Sequence, residues 1–120
     1  MVLSIEDTVM NPGKDFTLHV GFILMPEYTL SPLANAVSVM RMANRITDKI
    51  LYKYSMYSIG GAPVTSSAGV EIVHQGMLQS FNDLNVLIVC GGYNIERHCD
   101  KTVVDILRVA SKKKIPIGGI

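Results

Sequence analysis

Hydrophobic positions along the chain fall into two kinds of run. Leu18-His19-Val20-Gly21-Phe22-Ile23-Leu24-Met25 is almost continuously apolar and ends at Pro26, and Asn85-Val86-Leu87-Ile88-Val89-Cys90 repeats the pattern and stops at Gly91-Gly92. Short apolar runs without alternation predict strands buried on both faces, as in a parallel sheet. Between them the period changes. Leu33, Val37, Met40 and Asn44 recur at helical spacing behind Ser31-Pro32, a capping residue followed by proline, which predicts a helix over about 32–46. Tyr52 to Ile59 alternates and closes on Gly60-Gly61, a second strand. Residues 63–75, with Ser66-Ser67-Ala68-Gly69 as a turn, predict a small hairpin, and Met77 to Asn82 one helical turn. Asp100 to Lys114 sets Val103, Ile106, Leu107 and Ala110 on one face and ends in three lysines, where positive charge suits a helix carboxyl end. Ile115 to Ile120 begins a further buried strand, while residues 1–15, broken by Asn11-Pro12-Gly13, carry no sustained period and are expected to be a mobile leader.

Strands alternating with helices imply an α/β fold, a flavodoxin-like, doubly wound and mostly parallel sheet. Ile120 lies inside a glycine-bearing apolar strand with no helix after it to cover it, so the sheet is expected to be truncated at its carboxyl end and the chain to be the front part of a larger protein. Composition narrows the function classes. Eleven Lys and Arg against ten Asp and Glu leave a net charge of +1, without the excess that condenses onto nucleic acid or anionic membrane. The apolar runs fall far short of the roughly 18 residues of a membrane span. The amino terminus lacks a basic start followed by an apolar block, so a cytoplasmic location is expected. Two cysteines, Cys90 and Cys99, match neither a CxxC pair nor a disulfide scaffold and read as reduced thiols.

In open α/β sheets ligands bind beyond the carboxyl ends of the strands, which directs attention to Pro26 to Ser31, Gly60 to Ala62 and Gly91 to Asn94. Gly91-Gly92 leaves backbone N–H groups unshielded and suits a carboxylate or oxyanion; the plainer alternative is a tight turn with no ligand. Tyr93 follows directly. Glu27, just past the first strand, either presents a carboxylate over that edge or is simply solvated. Arg41 either meets a carboxylate or reaches water. Cys90 at a buried strand end reads as a packed thiol rather than a nucleophile. His98-Cys99-Asp100 holds metal-binding residue types, but adjacent residues diverge; Asp100 reads as a helix cap and no metal is expected. His19 and His74 lack an evident nucleophile partner. There is no P-loop and no GxGxxG cradle, and no cofactor is expected.

The run Val20-Gly21-Phe22-Ile23-Leu24-Met25-Pro26, the helix segment Met40-Arg41-Met42-Ala43-Asn44-Arg45, Tyr52, and Ser58-Ile59-Gly60-Gly61-Ala62-Pro63-Val64 with Ser66-Ser67-Ala68-Gly69 resemble the amino-terminal domain of GlxA-type AraC-family transcription regulators. Val89-Cys90-Gly91-Gly92 and Pro116-Ile117-Gly118-Gly119-Ile120 complete the likeness, which covers Phe16 to Ile120. The resemblance implies a class I glutamine amidotransferase-like, PfpI-type fold over 16–120, an effector-sensing role, and a carboxyl-terminal helix-turn-helix DNA-binding domain that lies beyond this chain. It maps the superfamily's anion pocket onto Gly91 and Gly92 and would place a nucleophile-elbow residue just after Ile120. Where family members commonly carry Glu-Pro-Leu-Arg, this chain has Ser38-Val39-Met40-Arg41. The expectation is a sensor that binds a small polar metabolite, of the amino acid or quaternary amine class, at Glu27, Arg41, Gly91, Gly92 and Tyr93. It would act as a homodimer, touch DNA only through the absent domain, involve no membrane and catalyse nothing. The alternative is a PfpI-like cysteine-dependent hydrolase, hydratase or deglycase, with Glu27 as acid or base.

Overall fold

The computed structural model describes residues 16–120, and the leader expected over residues 1–15 lies outside the described residues. The elements run β1 (Leu18–Leu24), α1 (Leu30–Thr47), β2 (Tyr52–Ser58), β3 (Val86–Cys90), α2 (Ile95–His98), α3 (Lys101–Lys112) and β4 (Ile117–Gly119). The four strands form one sheet in the order β2-β1-β3-β4, and every pairing is parallel. β1 is the axis. It is paired on both sides, and apart from His19 all its residues are buried, which is why it reads as unbroken hydrophobic sequence.

Each face of the sheet carries its own core. Val20, Phe22, Leu24, Val86, Ile88 and Cys90 pack with Leu33 and Met40 of α1, while Ile23, Leu87 and Met25 pack with Val103 and Ala110 of α3 on the other side. Helices on opposite faces of a parallel sheet make the doubly wound arrangement expected from the sequence. Gly21 belongs to the second face, where Leu84 fills the space a side chain would need: a Cβ there would lie 2.8 Å from Leu84 Cδ1.

The helix boundaries differ from the expectation at one end. α1 starts at Leu30 with Thr29 as its N-cap, so Pro32 is the third helical residue instead of the first; proline is still tolerated there, because first-turn N–H groups have no intrahelical acceptor. Its carboxyl end is closed by Asp48 in the left-handed region (φ 52°). In α3, by contrast, Asp100 is the cap the sequence promised, its carboxylate accepting from Val103 N–H at 3.1 Å.

The segment between β2 and β3 departs further. The hairpin shrinks to a single antiparallel bridge, Thr65 with Glu71, around a turn in which Ser66 Oγ accepts from Ala68 and Val70 N–H at 3.2 and 3.1 Å. The helical turn expected at Met77 to Asn82 is not formed. Leu78 and Phe81, whose i, i+3 spacing suggested it, are instead anchors by which an irregular crossing segment packs against the α3 face. The one-turn α2 went unforeseen, since four residues are too few to show a period.

β2 is an edge strand, and side chains close much of its open flank. Asn44 Oδ1 accepts from Leu51 and Tyr52 N–H at 2.8 and 2.9 Å, while its Nδ2 donates to Tyr52 O at 2.8 Å. Gln75 Oε1 accepts from Met56 N–H at 2.7 Å, and Gly76 O accepts from Ser58 N–H at 2.9 Å. Occupying edge donors in this way removes a template for strand-to-strand association. It also fixes where α1 ends relative to β2.

Two measurements check this account. Asn44→Ala removes three hydrogen bonds at once and is expected to destabilise the protein by about 2–3 kcal/mol in urea unfolding. The hydroxyls of Tyr28 and Ser58 are buried without a partner. Tyr28→Phe and Ser58→Ala are therefore expected to leave the melting temperature unchanged or raise it, because deleting an unsatisfied buried hydroxyl removes a cost of about 1–3 kcal/mol.

Candidate functional site

The carboxyl ends of β1, β3 and β4 meet at one edge of the sheet, where an open cleft of about 490 Å³ is lined by Thr29, Gly91, Gly92, Ile95 and Ile120 among others. Its walls are tied together by main chain. Met25 N–H donates to Cys90 O at 3.0 Å, Thr29 N–H to Gly91 O at 2.9 Å, and Gly91 N–H to Ile120 O at 3.0 Å. On the far side of the loop after β1, Glu27 N–H donates to Thr65 O and Ser67 N–H to Tyr28 O.

Gly92 is where this crossing is tightest. A Cβ on it would collide with the carbonyl oxygen of Glu27 and lie 3.2 Å from Tyr28 Cα, both backbone atoms that cannot rotate away. Gly91 is less constrained, since a Cβ there would meet the flexible end of Ile95. The N–H groups of Gly92 and Tyr93 find no acceptor among the described residues, whereas Gly92 O takes the N–H of Ile95 at 3.2 Å. This is the unshielded backbone anticipated from the glycine pair, in a turn that also has a packing reason to be glycine.

Glu27 adopts φ 62°, a left-handed conformation that costs a non-glycine residue about 1–3 kcal/mol and persists only where the surroundings enforce it. Its carboxylate turns toward α2. Oε2 accepts from Asn94 Nδ2 at 3.0 Å and from His98 Nε2 at 3.2 Å. These two hydrogen bonds, His98 first, hold the carboxyl below the usual carboxylate range. The side chain stays half exposed, so the clasp is a surface one.

Of the five residues the sequence nominated, Gly91 and Gly92 line the cleft and Glu27 adjoins it through its backbone contact with Gly92. Tyr93 follows Gly92 and is 91% exposed. Arg41 is not brought to them. α1 begins at the cleft edge and runs back along the sheet, and Arg41 lies eleven residues from its start, about 16 Å at 1.5 Å per residue, exposed and one turn before the Asn44 that binds the opening of β2. Sequence reasoning missed Asn94 and His98 as the partners of Glu27. Their i, i+4 spacing was the available signal, because it sets both on one side of a helical turn.

Cys90 is 1% exposed, and burial pushes its thiol up to about 12. Tyr28, also buried, has its hydroxyl raised by desolvation and then by the nearby Cys90. Neither is a poised nucleophile or base. His19, in β1, donates from Nδ1 to Asp83 O at 2.9 Å, and His74, in the segment between β2 and β3, donates from Nε2 to Ala62 O at 3.1 Å.

No family model matches the chain. Among curated proteins it is 31% identical over 101 residues to the HTH-type transcriptional regulator GbdR of Pseudomonas aeruginosa, an alignment that takes in 84% of this chain and 28% of GbdR. It is 28% identical over 102 residues to the HTH-type transcriptional regulator GlxA of Rhizobium meliloti, covering 84% of this chain and 32% of GlxA. The chain thus spans about a third or less of the relatives it matches. In fold it is similar to an AraC family transcriptional regulator from Pseudomonas putida, with TM-score 0.75, 24% identity, and coverage of 85% of this chain and 63% of that one. A DJ-1 superfamily protein from Agrobacterium tumefaciens follows at TM-score 0.65 and 15% identity, with 86% and 53% covered. No helix among the described residues is long and apolar enough to cross a membrane.

Three outcomes test the site. Gly92→Ala is expected to cost about 2–4 kcal/mol of stability in denaturant unfolding, and Gly91→Ala clearly less, because only the former meets backbone. Ellman's reagent is expected to titrate one fast thiol, Cys99, at pH 8 and the second only after unfolding. NMR titration of the Glu27 carboxyl is expected to give a midpoint below the ordinary carboxylate value, returning upward in His98→Ala. A lowered folded pKa means that this contribution to stability is present above the unfolded value and is lost as pH falls through the folded one.

Proposed function

We propose, from the similarity of most of this chain to the HTH-type transcriptional regulators GbdR and GlxA and from its likeness in fold to an AraC family regulator and a DJ-1 superfamily protein, that it is the effector-sensing part of an AraC-type regulator, binding a small polar metabolite of the amino acid or quaternary amine class. The cleft over the ends of β1, β3 and β4 carries this reading. The free N–H groups of Gly92 and Tyr93 suit a carboxylate, and the ionised Glu27 beside them supplies the negative charge that favours a cationic end. Tyr93 offers an exposed aromatic face to the same cation. Arg41 has no part in this arrangement.

Signalling follows as a population shift. A ligand that bridges Gly92 and the Glu27 loop favours one disposition of the β1–α1 and β3–α2 segments, and through it one arrangement of a homodimer and of the helix-turn-helix parts of the full-length cytoplasmic protein. No bond is made or broken. Buried and with its thiol pushed to about 12, Cys90 supplies no nucleophile at neutral pH.

A cysteine-dependent hydrolase, hydratase or deglycase is the second reading, favoured by the likeness to a DJ-1 superfamily fold and by a carboxylate placed just past β1. A thermal-shift screen of the full-length protein with amino acids and quaternary amines separates the two. The sensor reading expects one compound, recovered unchanged, to raise the melting temperature saturably, equivalent to about 2.7 kcal/mol at a hundredfold excess over Kd. Absence of any shift, together with turnover of amide or glyoxal-type substrates, would move the assignment to an enzyme.

A further inference from the structure

Both ring nitrogens of His74, in the segment that crosses from β2 to β3, are engaged. Gly76 N–H meets Nδ1 at 2.8 Å, and because a backbone N–H can only donate, Nδ1 is the acceptor and carries no proton. The ring proton is therefore on Nε2, which faces Ala62 O at 3.1 Å, an atom that can only accept. Together the two contacts fit the neutral ring in a single tautomer. A second proton would go to Nδ1 and set two N–H groups against each other.

What the ring holds in place is the cover of the β2 edge. Gly76 O accepts from Ser58 N–H at 2.9 Å, while Gln75 gives its own N–H to Met56 O at 2.9 Å and takes Met56 N–H on Oε1 at 2.7 Å. Gly76 adopts φ 89°, a backbone freedom that lets the segment swing at this point. No carboxylate stands ready to offset a charge on the ring. Glu71, on the same segment, is engaged with Thr65 Oγ1 at 3.0 Å, and residues 58–65, which supply Ala62, carry no charged side chain. The β2 positions under the cover are Met56 and Ser58, neither of them titratable, and the one ion pair among the described residues joins Glu27 to His98. We infer that His74 is a proton-operated latch: its neutral ring holds residues 75–76 over the edge of β2, and a second proton releases them and bares the edge donors of Met56 and Ser58. Imidazole is the side chain whose charge ordinarily changes between about pH 5 and 8, so the device works in mildly acidic water. The cover contributes stability while the ring is neutral and loses it as pH falls. The latch uses nothing of the cleft or its ligand.

Hydrogen exchange of the full-length protein, followed by mass spectrometry at about pH 7.5 and about pH 5.5 and corrected for the intrinsic pH dependence of amide exchange, reads the cover directly. Protection of the peptide holding Met56 and Ser58 is expected to fall about fivefold at the lower pH, the scale of one net hydrogen bond, while β1 and β3 keep theirs. His74→Asn separates the proton from the contact, because an Asn side-chain oxygen accepts from the N–H two residues on but takes no proton in this range. This variant is expected to protect the edge equally at both pH values. Equal protection at both pH values in the wild-type protein overturns the proposal, and so does a pH-dependent loss that persists in His74→Asn. If His74→Asn leaves the edge open at both pH values, amide NMR of the wild-type protein decides: the Gly76 amide is expected to shift in step with the His74 ring as it titrates, and a Gly76 amide that stays still overturns the latch.

Discussion

The site depends on one close approach of backbone to backbone. As the chain leaves β3 it passes under the loop that left β1, and Gly92 sits where any Cβ would strike the Glu27 carbonyl. This contact lets Thr29 N–H reach Gly91 O, so α1 begins directly against the exit of β3. It also accompanies the left-handed backbone of Glu27, which turns the carboxylate toward Asn94 and His98. A cleft floored by main chain, with unshielded N–H groups at one side and a fixed carboxylate nearby, is the consequence.

The rest of the fold keeps that crossing in register. β1 is held from both sides, and two helices seal opposite faces, so the carboxyl ends of the strands present a rigid edge. The opposite end is fixed by Asn44, which stands in for a neighbouring strand at the start of β2. Between the two ends α1 acts as a strut, with one face in the core.

Much of this was legible in the amino-acid sequence. Strands buried on both faces are unbroken apolar runs, and Leu18 to Met25 and Val86 to Cys90 stood out for that reason; the parallel doubly wound sheet followed from their alternation with helical spacing. Asp100 was readable as a cap because capping is a local interaction. Gly91 and Gly92 were readable as cleft residues because they follow a buried strand at the sheet's carboxyl edge, where such folds leave an open crevice. What escaped were features that depend on three dimensions. Leu78 and Phe81 have helical spacing but serve as anchors for an extended crossing. Arg41 shares a helix with the cleft edge, yet helix length carries it toward the other end of the sheet. The clasp of Glu27 by Asn94 and His98 joins residues about seventy positions apart, and the pairing became visible only once β1 and β3 lay side by side.

The most direct test of the account is a backbone amide NMR titration of the protein with amino acids and quaternary amines, the ligand class proposed for it. The account predicts that the largest shifts fall on Thr29, Gly92, Tyr93 and Ile95, with smaller ones along the Glu27 to His98 clasp and none on the outer face of α1. Shifts concentrated away from the carboxyl edge of the sheet, leaving Gly92 and Tyr93 unmoved, would contradict it.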